Sequence, residues 1–267
     1  MNIDLTTAAI AAAVSLATTG ATLGTQGLLA RREREHADDR DRVKHEAEVL
    51  AVFRKYQAPL LVSADALQSR IYNIVQKRLF ELDTGVQAVH QCGRTYAVES
   101  TLSLLSEYFG WREAVRREIQ FFDTGELEST RRINVILEHV SRTFASSSPP
   151  FDNGLVVFRS QQRAVGDLVL VRSDVGGEHW ECVGPAKFCE LLDSIQGKSW
   201  LGALEQQVAS FRESLDYRTE QRLRLAQNWL LELVDEADPK SAHVASKRVR
   251  LPVDDEYQSL CPSSIIL

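Results

Sequence analysis

The feature that most constrains this chain is an uncharged stretch near its start. Residues 5–30, between Asp4 and Arg31, carry no charged side chain and are rich in alanine and threonine. As an α-helix this stretch would be about 39 Å long, whereas the hydrocarbon core of a bilayer is about 30 Å thick. We therefore expect residues 1–30 to form a transmembrane helix, with residues 5–30 in contact with the membrane.

Two other interpretations of this stretch stay open. A cleaved signal peptide would normally begin with a positively charged region, which is missing here. A soluble helix buried against a partner is the second alternative. Within the stretch, Gly20 and Gly24 have the small-xxx-small spacing that lets two helices approach closely in lipid. A homo-oligomer through these glycines is therefore one expectation, although an alanine- and glycine-rich span also contains this spacing by chance.

The charges that flank the stretch predict its orientation. Arg31, Arg32 and Arg34 follow it directly, while only Asp4 and the α-amino group precede it. Arginine-rich flanks stay on the cytoplasmic side of a membrane. We expect a single-pass protein of the cell membrane, with its N-terminus outside and its body in the cytoplasm.

Residues 31–57 predict a charged helical stalk. Six basic and seven acidic side chains alternate within residues 31–48, and no proline or glycine interrupts them. Mixed charges at helical spacing stabilise a solvated helix through pairs four residues apart, such as Asp38 with Arg42. A narrow apolar seam through Val43 and Ala47 is compatible with a coiled coil between two copies and equally with a single helix.

Amphipathic segments then predict a helical bundle domain over residues 58–237. Proline is comfortable in the first turn of a helix, so the first helix is expected to start near Pro59. Its apolar residues recur at intervals of three and four: Leu60, Ala64, Leu67 and Ile71. A second stripe leaves open whether its helix continues through Gly110: Val98, Leu102, Leu105 and Phe109. Beyond this domain, residues 238–267 lose the apolar period and predict a flexible tail.

A small β element is expected within this domain, near residues 155–183. Residues 155–159 and 168–172 are short β-rich runs, and the segment SQQRAVGD between them would form a loop in which Gly166 supplies turn freedom. A third strand is expected at residues 180–183. The predicted fold class is therefore mainly α: an N-terminal transmembrane helix and stalk, then a helical bundle with a two- or three-stranded β element.

Composition and motifs exclude several familiar functions. A net charge of −6 argues against a nucleic-acid binder. The common nucleotide-binding, zinc-protease and serine-hydrolase motifs are absent. His179, Cys182 and Cys189 lack a fourth ligand at zinc-finger spacing. We predict no cofactor, no metal site and no catalytic residue, and we favour a protein that is not an enzyme. Four scattered cysteines without C-x-x-C suit a reducing compartment.

Polar residues in two segments form the candidate ligand-binding or structural cluster. An arginine with nearby amides can hold an anionic ligand, and it can equally tie two elements together. The structural role is the commoner one. The candidate residues are Arg70, Asn73, Gln162, Arg163 and Asp167.

Four short segments resemble a group of uncharacterised proteins with one N-terminal membrane segment and a helical cytoplasmic domain. They are Tyr56-x-x-Pro59-Leu60-Leu61, LQSRIYNI at 67–74, YFGW at 108–111 and QRAVGD at 162–167. The resemblance covers roughly residues 50–235 and implies one domain, but no activity. The leading hypothesis is a membrane-anchored protein with a cytoplasmic helical interaction or scaffold domain and an unknown protein partner. The alternatives are a membrane-tethered enzyme or ligand sensor of unrecognised type, and a fully soluble helical protein.

Overall fold

The computed structural model divides the chain into two units, Met1–Ala51 and Val52–Leu267. It describes residues 39–41, 43–44, 55–82, 94–118, 128–151, 154–173, 179–244 and 249–262. Residues 5–30, with Gly20 and Gly24, lie outside the described residues. In the first unit, residues 39–41 and 43–44 of the expected stalk are helical and exposed. None of the helices described is both long enough and apolar enough to cross a membrane.

The second unit is mainly helical with a small β element, which confirms that part of the predicted fold class. The helices are α1, of which residues 55–75 are described, α2 (Leu79–Leu82), α3 (Tyr96–Glu118), α4 (Glu128–Ala145), α5 (Arg159–Val169), α6 (Pro185–Asp193), α7 (Ile195–Ser210), α8 (Tyr217–Ala237) and α9 (Asp255–Gln258). In the described part of the chain, the β element is one antiparallel pair, β1 (Leu170–Ser173) with β2 (His179–Cys182). Its register places Leu170 opposite Cys182.

The predicted hairpin around SQQRAVGD is wrong in its first half. Residues 155–158 belong to no strand, and the expected loop is part of helix α5. The buried face of α5 has helical spacing, but it includes a polar residue and a glycine, so it was not recognised from apolar residues alone. Its buried residues are Gln162, Val165, Gly166 and Val169. Gly166 therefore serves close helix packing and not a turn.

One predicted boundary also shifts. Residues 55–58 are already helical, so α1 begins before Pro59. The core accounts for this, since Tyr56 is 1% exposed and its ring lies 6.4 Å from that of Trp111 on α3. Burial of Tyr56 stabilises the helical turn that precedes the proline. Helix α3 runs without a break through Gly110, which resolves the alternative left open above.

Helix α8 lies at the centre of the second unit. Trp229, Leu230 and Leu231 are consecutive and fully buried, as expected for a helix that is covered on all sides. Against it packs α4, whose His139 ring stacks on the ring of Trp229 with centroids 4.2 Å apart and planes 6° apart. Arg132 of α4 also forms an ion pair with Glu236 near the end of α8.

One buried arginine of α8 fixes the end of α4. The Arg222 guanidinium donates to the carbonyl oxygens of Thr143 at 2.5 Å, Ser146 at 2.7 Å and Phe151 at 3.0 Å. Burial lowers the pKa of Arg222 to about 10, with Tyr257 and Asp216 acting in the opposite direction. A cation is favourable here because the last carbonyls of a helix are unsatisfied and carry partial negative charge.

The C-terminal segment, expected to be a flexible tail, packs along α8 where it is described. Gln227 donates to the Val249 carbonyl at 2.8 Å and accepts from the Leu251 N–H at 3.1 Å. Leu251 and Tyr257 are buried. Apart from the short helix α9, the described part of this segment forms no regular helix or strand, so its apolar side chains have no periodicity, and side-chain amides of α8 bind its backbone.

Candidate functional site

A cavity of about 200 Å³ opens between α3, α4 and α5. Its apolar floor is formed by Phe109, Val115 and Leu137. Charged and amide side chains complete the lining: Arg112, Glu113, Arg116, Asn134, Glu138, Arg159, Gln162 and Arg163. We call it the arginine cavity.

Helical spacing brings these groups to one place. Arg112 and Arg116 are four residues apart on α3, and Arg159 and Arg163 are four apart on α5, so each pair shares one helix face. The two helices approach closely because Gly166 lies against α3. A Cβ at this position would be 2.6 Å from the Phe109 carbonyl oxygen, closer than any side chain allows. Because α3 and α5 pack closely at Gly166, the arginines of both helices line the same cavity.

Gln162 holds the three helices together at the wall of the cavity. Its side-chain N–H groups donate to the carbonyl oxygens of Ser141 at 3.0 Å and Val157 at 2.8 Å. Its Oε1 accepts from the Ser141 hydroxyl at 2.8 Å and from Arg112 at 3.2 Å. The amide is 3% exposed and fully satisfied, so it fixes the position of the Arg112 guanidinium.

Two of the four arginines are held by carboxylates. Arg116 donates to both oxygens of Glu113, at 2.7 and 2.5 Å, and Arg159 donates to both oxygens of Glu138. Burial raises the pKa of Glu113, but the hydrogen bonds from Arg116 and Arg117 together outweigh this effect, so the pKa lies below its ordinary value. The hydrogen bond from Arg159 is the main cause of the lowered pKa of Glu138. Both carboxylates are therefore ionised at neutral pH.

The other two arginines have no bonded carboxylate partner among the described residues. Arg112 makes one hydrogen bond, to the neutral Gln162 amide, and within the described part of the chain Arg163 makes none. Burial lowers the pKa of Arg112; Tyr108 and Glu138 act against this, while Arg159 and Arg163 add to it. Among the described residues, the lining holds four guanidinium groups and two carboxylates. This excess of two positive charges occurs in a chain of net charge −6.

The structure brings together only part of the predicted cluster. Gln162 and Arg163 line the arginine cavity, and Asp167, one turn further along α5, forms an ion pair with Arg117 outside its lining. Arg70 lies elsewhere. Its guanidinium donates to the Tyr96 hydroxyl at 3.3 Å and lies over the Tyr96 ring.

Two of the five candidates therefore lie apart from the cavity. Tyr96 begins α3, and 13 residues of helix, about 20 Å, separate it from Phe109 at the cavity floor. The Asn73 side chain on α1 is exposed. Arg70 and Asn73 thus do not belong to the arginine cavity.

Sequence reasoning missed most of the lining. The available signal was the pair of arginines at Arg112 and Arg116, on the polar side of a helix whose apolar stripe was recognised. The contributions of Asn134, Glu138 and Arg159 could not be recognised, because α4 and α5 meet α3 only in the folded chain.

The lining is suited to binding an anion. Guanidinium groups bind carboxylate and phosphate oxygens through paired, charge-assisted hydrogen bonds. Among the described residues that line the cavity there is no histidine, cysteine, serine, threonine or lysine to act as a nucleophile. Groups of three metal-ligating side chains are also absent from the part of the chain that the structure describes.

Comparison with known proteins adds no further assignment. The chain matches no family model, no curated protein and no solved structure. The chemistry of the cavity is therefore the basis for a functional conclusion.

Proposed function

We propose that this chain is a membrane-tethered binding protein that senses a small anionic ligand in the arginine cavity. The observation that carries the proposal is that Arg112 and Arg163 line a cavity without a carboxylate partner in the described chain. Convergent polar groups around a concave, partly apolar cavity are typical of ligand sites. This favours the ligand sensor over an interaction domain without a ligand.

The energetic argument starts from Arg112. This half-buried cation has lost part of its hydration, and among the described residues it has gained one neutral hydrogen bond and no ion pair. Such a cation is destabilised relative to one in water. A bound anion would replace the lost hydration with an ion pair, so ligand binding stabilises the charged form of Arg112.

The membrane tether rests on the sequence. Residues 5–30 are uncharged and precede Arg31, Arg32 and Arg34, which supports insertion with a cytoplasmic body. One structural observation counts against this orientation. Cys189 is disulfide-bonded, and disulfides persist mainly in oxidising compartments.

Calorimetric titration of the full chain in a neutral detergent tests the proposal. We expect small anions, titrated at constant ionic strength, to bind, and Arg112→Gln together with Arg163→Gln to abolish binding. Arg70→Gln is the matched control, since it removes the same charge from a site on α1 distant from the cavity. Retention of full affinity in the double variant would refute the arginine cavity as the site.

A second candidate function is the interaction domain itself, favoured by exposed aromatic side chains. Phe158 is 53% and Trp200 45% exposed. Helix α5, which begins just after Phe158, contacts α7 near Trp200, where Gln161 donates to the Trp200 carbonyl oxygen at 3.2 Å. Crosslinking and pull-down from intact membranes, with and without Trp200→Ser, tests this candidate. Recovery of the same partners with both chains would argue against this surface.

A further inference from the structure

We infer, building on the proposed function, that the ligand carries a dianionic tetrahedral head group, a phosphate or small phosphomonoester, bound by Arg112, Arg163 and Asn134. Three properties of the arginine cavity support this ligand class: its charge balance, the arrangement of its donors and its size.

The charge balance favours a dianion. Glu113 and Glu138 neutralise Arg116 and Arg159, which leaves Arg112 and Arg163 as the excess charge. A phosphomonoester carries about −1.5 to −2 charges at neutral pH and matches both. A monocarboxylate would balance only one of these two positive charges.

The donors come from three directions. Arg112 projects from α3, Asn134 from α4 and Arg163 from α5, and all three line the same cavity. Within the described residues the Asn134 amide has no hydrogen-bond partner, so its N–H groups are available. A phosphoryl group presents three acceptor oxygens that point apart. A carboxylate is planar and presents two, which one arginine satisfies.

The size of the cavity limits the rest of the ligand. A volume of about 200 Å³ is below the usual range of roughly 300–1,000 Å³ for drug-sized ligands. A phosphate group with a short carbon substituent fits the enclosed part of this cavity. Phe109, Val115 and Leu137 would contact these carbons.

The paired arginines have a separate role. Glu138 accepts from Arg159, and Glu113 accepts from Arg116 and Arg117, so these guanidinium groups are already oriented. They hold the faces of the three helices in position around the cavity. The ligand bonds are expected from the unpaired groups.

Titration calorimetry of the full chain in detergent distinguishes the ligand classes at constant ionic strength. The probes are inorganic phosphate, propyl phosphate, acetate and succinate. We expect both phosphates to bind at least about tenfold more tightly than either carboxylate, and Arg163→Gln to weaken phosphate binding about tenfold or more. Arg70→Gln should leave it unchanged. Arg163 is exposed and has no bonded partner in the described chain, so its loss should not affect folding, which urea unfolding checks.

Protonation provides a second measurement. The second pKa of a phosphomonoester is about 6, so propyl phosphate should bind more weakly as the pH falls from about 8 to 5.5. Sulfate stays dianionic over this range and serves as the control for changes in the protein. Equal pH dependence for the two anions would overturn the requirement for a dianion.

The outcomes separate this inference from the proposed function. If carboxylates bind as tightly as phosphates and Arg163→Gln still abolishes binding, the ligand class is wrong and the anion site stands. If no anion binds the unaltered chain, both fail. Incorporation into nanodiscs with and without phosphatidic acid identifies the source of the phosphate. If phosphatidic acid competes with propyl phosphate, the natural ligand is a lipid head group. If phosphatidic acid does not compete, the natural ligand is a soluble phosphomonoester.

Discussion

The side-chain oxygen of Gln162 accepts a hydrogen bond from the Arg112 guanidinium across 3.2 Å. The same buried amide binds α4 through Ser141 and the chain before α5 through Val157. The packing of the domain and the orientation of the cavity arginine therefore depend on one side chain. Stability and ligand affinity should change together when it is altered.

Replacement of Gln162 by alanine is expected to lower the free energy of unfolding by about 2–4 kcal/mol, because two buried carbonyl oxygens lose their donors. Urea denaturation measures this change. Gln161→Ala is the control, since Gln161 makes one bond, to the Trp200 carbonyl, on the surface. If Gln161→Ala lowers the free energy of unfolding as much as Gln162→Ala does, the buried network contributes little to stability.

A methyl group at Gly166 should be destabilising by about 1–3 kcal/mol, because α3 and α5 must move apart. It would lie 2.6 Å from the Phe109 carbonyl oxygen and 3.0 Å from the Glu113 Cβ. Gly202→Ala on α7 meets nothing within 4 Å and should instead stabilise, by up to about 1 kcal/mol. Thermal unfolding of both variants tests the pair, and effects of the same sign would contradict the close helix crossing.

Arg222→Met should destabilise the domain by about 3 kcal/mol or more, because the carbonyls of Thr143, Ser146 and Phe151 lose their donor. Arg222→Lys keeps the charge but not the planar fork, and an intermediate loss is expected. Chemical denaturation provides the free energies. Equal stability of the Lys variant and the unaltered chain would show that charge alone is sufficient.

Stability should decrease as the pH falls below about 6.5 because of His139. Burial is the main cause of its lowered pKa, Arg142 adds to it, and Glu138 opposes it. Between the lowered pKa and the ordinary value the unfolded chain binds more protons, so acidification favours unfolding. Urea midpoints at pH 7.5 and about 5.5 measure this effect, and His139→Phe should reduce the difference while preserving the stack on Trp229. An unchanged difference would exclude His139 as the cause.

Thiol counting tests the proposed orientation. If the body is cytoplasmic, all four cysteines should react with a maleimide when cells are lysed directly into denaturant with the reagent. Reaction of Cys182 and Cys261 alone would show that Cys189 stays bonded in the cell and would refute the orientation. Extraction of membranes with alkaline carbonate independently tests the anchor.

Apolar periodicity predicted the parts of the fold in which one helix face is buried. The stripes from Leu60 to Ile71 on α1 and from Val98 to Phe109 on α3 are buried as expected. Helix α5 was missed because its inward positions include Gln162 and Gly166, which are polar or small. Both are explained only by neighbours distant in sequence, Ser141 for the amide and Phe109 for the glycine.

The candidate site was predictable to the same limited degree. Gln162 and Arg163 were identified from an arginine next to amides, and both line the cavity. Arg70 was identified by the same rule and belongs to a separate contact with Tyr96. Whether an arginine is paired with a carboxylate depends on which helices meet, and the local sequence does not contain that information.

The binding of the C-terminal segment to α8 determines how far the chain can be shortened. Gln227 and Asn228 donate to backbone carbonyls of Val249 and Leu251, and the Trp229 indole donates to the Leu260 carbonyl. A fragment cut after Ala237, where apolar periodicity ends, would expose this side of the central helix to solvent. Recombinant versions therefore need to extend at least to Pro262, and truncation at the end of the last long helix would yield an aggregation-prone product.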